Sequence, residues 1–192
     1  MTVARRVHTR RASLAASCLA LGLALAAPAS AQSPSQTQAQ SPSQVQGCTV
    51  TNRSDPAGQV IACPGGLTLT VEPATAYRLI DADGDGRPEA AELTDRGLLV
   101  EVPPGRGRVR FQIRTPHAVA SVRGTVWATD VSAARTSVFV ERGAVAVRPQ
   151  ASRRTAVLNP GEGVDVEAGT RVPEVKRWSP ARAAALLARF RR

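Results

Sequence analysis

The chain has 192 residues, a formal net charge of +10, 43% hydrophobic residues and 3% aromatic ones. A chain of that length ordinarily makes one domain with a proper core. Only Tyr77, Phe111, Trp127, Phe139, Trp178 and Phe190 offer a ring on which a base could stack, which argues against a nucleic-acid partner.

The N-terminus, MTVARRVHTRRASLAASCLALGLALAAPASAQ, has four arginines and no acid before Ser13, then an Ala/Leu-rich run, then Ala29-Ser30-Ala31. This is the pattern of a secretory signal peptide over residues 1–31, cleaved after Ala31. The apolar run is shorter than the roughly 20 residues a membrane span requires, so no transmembrane segment is expected after processing. The expected location is periplasmic. Thr9-Arg10-Arg11 leaves twin-arginine export open beside the general route, while Cys18 precedes most of the apolar run and does not fit a lipid-attachment site. Past Ala31, net charge runs from −5 over Gln32–Val102 (four Arg, nine Asp+Glu) to +11 from Pro103 onward (17 bases, six acids). The basic half is a solvated surface or a site for anionic lipid headgroups or cell-wall polymers.

Residues 32–47 read QSPSQTQAQSPSQVQG, an imperfect duplicate with nothing to bury, and are expected to form a disordered linker. The folded part should begin at Cys48. Cys48 and Cys63 read as a disulfide in an oxidising compartment, the alternative being two buried thiols. Runs at 59–63 and 67–71 are expected strands.

Residues 81–92, DADGDGRPEAAE, fit the D-x-D-x-D-G-x5-E spacing of a calcium loop. Calcium takes six to eight hard oxygens, and this spacing offers Asp81, Asp83, Asp85, the Arg87 carbonyl, Glu89 through water and a bidentate Glu92, with Gly86 at the sharp turn. Pro88 and the strand-like approach LTVEPATAYRLI point away from paired helix-loop-helix hands. The expectation is a solitary calcium loop followed by a short helix over 89–95; the alternative is a capped polar turn.

Further strands are expected at 98–102, 108–114, 118–131, 136–141, 144–147, 155–158 and 163–166. In RVRFQIR, Val109, Phe111 and Ile113 alternate with Arg108, Arg110 and Arg114, which gives one buried face and one wet one. The run 118–131 carries Gly124 in mid-strand, where a glycine permits close backbone approach. TSVFVERGAVAV reads as a hairpin turning at Arg142-Gly143, with Val138, Val140, Val145 and Val147 available for packing. Ser179 as N-cap, Pro180 at the first helical position and ARAAALLARFRR predict a C-terminal amphipathic helix within 176–192. Ala183, Leu186, Leu187 and Phe190 form its apolar stripe, opposite Arg182 and Arg189.

Sites for catalysis are not evident. His117 is the one histidine after Ala31 and reads as structural, with Ser121 or Asp130 as a partner. No Cys-His zinc spacing, phosphate loop or nucleophile elbow occurs in the sequence.

The segments TP, VRGTVWATDV, TSVFVERGAVAV and VLNPGEG together resemble the FecR domain family of exported bacterial proteins. The family's pattern falls here on Thr115, Pro116, Gly124, Thr125, Trp127, Val131, Gly143, Leu158, Gly161 and Glu162. The resemblance covers about residues 108–168 and, more loosely, reaches back to about residue 66. It implies a periplasmic all-β module, jelly-roll or solenoid-like, which in iron-uptake regulators relays receptor occupancy to a sigma factor. That relay uses a preceding cytoplasmic helical domain and a retained membrane span, and the sequence reading finds neither.

The expected protein is therefore a single antiparallel β-sandwich, jelly-roll or solenoid-like domain over 48–175 with a short C-terminal helix. Its expected role is that of a non-enzymatic binding or scaffold module for a protein or cell-envelope polymer. The alternative is a component of an envelope-signalling system that acts through a separate membrane protein.

Overall fold

The computed structural model describes residues 47–103, 110–122 and 124–191. The expected signal peptide, residues 32–46 of the linker, and Arg108, Val109 and Arg123 lie outside the described residues.

The described chain is all-β with one terminal helix. The strands are β1 (Thr49–Ser54), β2 (Ala57–Ala62), β3 (Thr68–Val71), β4 (Ala76–Ile80), β5 (Ala90–Glu101), β6 (Phe111–Arg114) and β7 (Ala118–Val122). They continue as β8 (Val126–Val131), β9 (Arg135–Arg142), β10 (Val145–Pro149), β11 (Ala156–Leu158), β12 (Glu162–Glu167) and β13 (Lys176–Arg177), before helix α1 (Pro180–Leu187).

One long strand organises the rest. The second half of β5 pairs with β3 and β8 and belongs to a first layer ordered β1-β2-β3-β5-β8-β9-β12-β13. Its first half pairs with β4 and β6 and belongs to a second layer ordered β4-β5-β6-β7-β10-β11. The sheet therefore curls on itself about β5, with Arg96 (φ 63) between the two halves. All ladders are antiparallel except β5–β6, which is parallel, with Ala91 opposite Ile113. Between the layers lies the main core, which includes Leu69, Leu93, Leu98, Phe111, Ile113, Trp127, Val138 and Val145.

Two sequence expectations are corrected here. The run 118–131 is two strands, not one: β7 lies in the second layer and β8 in the first, and the chain crosses between them at Gly124 (φ 65). Nor does TSVFVERGAVAV fold back as a hairpin. β9 pairs with β8 and β12, whereas β10 pairs with β7 and β11, so the chain changes layer at Gly143 (φ 84). A third crossing, from β11 to β12, falls at Gly161 (φ 82). These crossings require the left-handed backbone region that glycine enters without a steric penalty. Gly143 has a second constraint, because a Cβ there would run into the Thr125 side chain and the Gly124 carbonyl. The crossings at Gly124 and Gly143 thus lie against each other.

The expected helix over 89–95 is also absent; residues 90–95 begin β5. Ala90, Ala91 and Leu93 are buried there, and β4 and β6 flank the strand on both sides. Pairing and burial outweigh the helical propensity of an Ala-Ala-Glu-Leu run. Helix α1 forms as its local signals predict, with the Ser179 side chain accepting from the Arg182 N–H at 3.3 Å. It covers the outer face of the first layer, where Leu186, Phe190 and Trp178 join Leu99, Val126, Ala128 and Phe139 in a second core.

Candidate functional site

The Asp-rich loop joins β4 to β5. Asp81 accepts from the N–H groups of Gly84 (3.0 Å) and Gly86 (2.9 Å), Asp83 from Asp85 (3.2 Å) and Asp85 from Arg87 (2.8 Å). Both oxygens of Glu89 accept from Ala82 N–H, at 3.1 and 3.0 Å, and the Glu89 N–H donates to the Ile80 carbonyl at 2.9 Å, closing the loop's base. Carboxylate oxygens of Asp81, Asp83 and Glu89 lie within 4.8 Å of one another, close enough to share one cation. Of the expected ligands, Glu92 stands elsewhere: it is on β5 opposite Arg78 of β4 and pairs with it at 2.7 Å. The reason is the strand that replaces the expected helix, since a strand sends residue 92 across to the neighbouring strand instead of back over the loop.

The Thr-Pro turn ties the two layers together. Thr115, buried at the end of β6, accepts from the N–H groups of Ala118 (2.9 Å) and His117 (3.3 Å) and donates to the Ala118 carbonyl (2.9 Å). It also accepts from the hydroxyl of Thr136 on β9 at 2.8 Å. His117 Nδ1 lies 3.1 Å from that Thr136 oxygen. His117 therefore joins the turn to β9, and neither Ser121 nor Asp130 is its partner. Gln150 adds a third strand end, donating from Nε2 to the Thr115 carbonyl at 3.1 Å and from N–H to the His117 carbonyl at 2.8 Å.

The remaining motif residues also build the roll. Thr125, fully buried, offers its carbonyl to Val102 N–H at 2.8 Å. Trp127, also fully buried, packs at a 55° tilt against Phe111 with ring centroids 6.4 Å apart. Gly161 donates to the Val140 carbonyl (2.8 Å) and accepts from Trp178 N–H (3.0 Å). Glu162 accepts from both the N–H (2.8 Å) and the Nδ2 (3.1 Å) of Asn159, capping the turn before β12.

Sequence reasoning missed two surfaces. One is the set of ion pairs under the C-terminal segment. Arg189 grips Glu72 through Nε (2.8 Å) and a terminal nitrogen (2.5 Å) and reaches Asp130 (2.7 Å). The hydrogen bonds it donates to Glu72 lead in pushing the Arg189 guanidinium above its ordinary range, and Asp130 adds to them. Arg182 pairs with Asp165 at 2.6 Å and lies over the Trp178 ring, which stacks on Phe139 with centroids 5.2 Å apart. Burial alone would push the Asp165 carboxyl up; hydrogen bonds from Arg182 and Ser137, with the charges of Arg182 and Arg135, hold it below the usual carboxylate range. The other surface is a cleft of about 860 Å³ between the β1–β2 hairpin and β4. Of the motif residues named in the sequence, Glu92 lines it.

These features define a two-layer β roll whose signature residues make its turns, crossings and core. The chain carries a domain of the FecR family: residues 53–146, from β1 into β10, match the family described as FecR protein. Gly161 and Glu162 lie beyond the matched stretch. The chain is also similar to two crystal structures of a candidate anti-sigma factor from Parabacteroides distasonis ATCC 8503, each with a TM-score of 0.55. The identities are 18% and 17%, over 72% and 73% of this chain. It spans 64% of each of those chains, and the likeness is one of fold. A search of curated proteins returned no match. No helix among the described residues is long and apolar enough to cross a membrane.

Proposed function

We propose that this protein is a non-enzymatic component of an envelope-signalling system, exported to the periplasm, which binds a separately encoded membrane protein. The observation that carries the reading is the FecR match over residues 53–146. Further support comes from the likeness in fold to the candidate anti-sigma factor structures and from the Cys48–Cys63 disulfide, a bond that persists in oxidising compartments. The N-terminal pattern of arginines, apolar run and Ala-Ser-Ala supports export. Cross-linking in the native periplasm followed by mass spectrometry tests the proposal. A membrane receptor or sensor should be recovered; retention on isolated cell wall without such a protein would replace signalling with a scaffold role.

The proposal includes calcium as a structural occupant of the 81–92 loop. The ligand spacing and the grouping of Asp81, Asp83 and Glu89 support it. A cation there would compete with the loop's own N–H groups for the carboxylates, and recruiting Glu92 would cost its pair with Arg78. Binding should accordingly be in the weak extracellular range of roughly 10⁻⁴ to 10⁻³ M. Calcium titrated into metal-stripped protein should release or absorb heat and raise the melting temperature. The absence of both at millimolar ion, or the same response from Asp83→Asn, would remove calcium from the account.

A further inference from the structure

The two layers are unequal on one side of β5. The first layer continues through β3 to β2 and β1, while the second stops at β4. The cleft occupies that shortfall. Asn52 and Gln59 stand on the β1–β2 side, and Ala76, Tyr77 and Arg78 on the β4 side. Among the described residues β4 pairs with β5 alone, so half of its backbone N–H and C=O groups point away from β5 towards the cleft.

The charged side chains on the walls already have hydrogen-bond partners. Arg78 pairs with Glu92, Glu72 holds Arg189, and Arg53 donates to the Phe190 carbonyl at 2.6 Å. The side chains that bridge the cleft are neutral. The Tyr77 hydroxyl lies 3.4 Å from Gln59 Oε1, and Gln59 Nε2 donates to Asn52 Oδ1 at 3.2 Å. Burial pushes the Tyr77 phenol up, so it stays a neutral donor at physiological pH. A polyanion such as a phosphate-rich polymer would meet the carboxylates of Glu72 and Glu92 on the same walls as Arg53 and Arg78. Backbone amides match both the free strand edge and the carboxamide groups facing it.

We propose that this cleft receives an extended, uncharged peptide segment of a partner protein, which adds to the free edge of β4 as a further strand of the second layer. Main-chain hydrogen bonds to β4 supply the affinity, and Asn52, Gln59 and Tyr77 read the segment's polar side chains. The inference rests on the reading as a protein-binding module and names the surface that reading leaves unassigned.

The test begins with phage-displayed linear random peptides panned against the full chain. Selected peptides are then resynthesised with single backbone N-methyl groups moved along their length. Affinity should fall by up to about tenfold at every second position, because each methyl removes one main-chain hydrogen bond only where the N–H faces β4. The β4 amides should gain protection from hydrogen exchange on binding. Ala57→Trp and Ala76→Trp, at exposed positions on opposite walls, should abolish binding without moving the melting temperature. Selection of no peptide, N-methyl effects without a period of two, or binding unchanged in both variants would overturn the proposal. So would displacement of the peptide by oligomers of N-acetylglucosamine, or self-association of the chain through β4. Peptides that bind elsewhere would sink the cleft and leave the signalling reading intact; peptides that bind the cleft while no membrane protein cross-links in cells would do the reverse.

Discussion

At Thr115 one hydroxyl accepts from two backbone N–H groups and from Thr136 and donates to the Ala118 carbonyl. Replacing it by valine keeps the shape and strands those buried groups, which should cost about 1–3 kcal/mol. Thr129 presents the opposite case. Its hydroxyl, like Thr125 Oγ1 and Trp127 Nε1, is buried without a hydrogen-bond partner among the described residues. Thr129→Val removes a desolvated group that gains nothing, so it should raise stability by about 1 kcal/mol. Urea unfolding of the two variants should shift midpoints in opposite directions; a loss of stability in Thr129→Val would show that its hydroxyl is engaged after all. Motif spelling marked Thr115, Gly124, Thr125 and Trp127 as special but could not say for what, since a turn, a crossing and a core ring carry the same letters as a ligand site.

At the scale of elements, the C-terminal segment was legible as a helix and illegible as a latch. Ser179, Pro180 and the apolar stripe are local signals. The partners of Arg189 are not: Glu72 lies 117 residues away, and nothing in the spacing of either residue announces the other. The loop shows the same division, because the Asp spacing is local whereas the strand that carries Glu92 to Arg78 is imposed by β4 and β6. Leu186 and Phe190 each contribute about 1.5–3 kcal/mol by leaving water. Phe190→Ala should therefore release the segment while the roll stays folded, seen as faster amide exchange in α1 alone. Gly97→Ala should do likewise, because a Cβ there would meet Glu72, the Phe190 ring and Arg189. The latch is also sensitive to acid. Asp165 has its pKa depressed in the folded state, so its contribution is full above the unfolded carboxylate value of about 3.9 and is lost as pH falls through the lower folded value. Near-ultraviolet circular dichroism of Trp178 should report loosening of the segment below about pH 4, and Asp165→Asn should loosen it already at neutral pH and shrink the further change on acidification.

For the whole molecule, alternation of apolar and polar residues announced most strands but not their layer. Val138, Val140, Val145 and Val147 have the right period for a hairpin, yet β9 and β10 stand in different layers because a left-handed glycine can redirect the chain as readily as reverse it. The open side of the roll is where the architecture is least supported, since among the described residues β1 pairs with β2 alone, and its first four residues are exposed in succession. The Cys48–Cys63 bond spans the end of that hairpin, beside the Thr49–Ala62 pair, and closes a loop with a sequence separation of 15. On the chain-entropy account this contributes about 3 kcal/mol by restricting the unfolded chain. Ile61 is fully buried in the same core as Trp127, so hairpin and roll should unfold as one unit. The Cys48→Ser/Cys63→Ser double variant is then expected to lose about 3 kcal/mol in a single transition, with tryptophan fluorescence and far-ultraviolet circular dichroism coincident. Separate transitions would show instead that β1 and β2 detach first, in which case the cleft wall carrying Asn52 and Gln59 depends on the disulfide directly and a reducing environment would erase it while the rest of the domain persists.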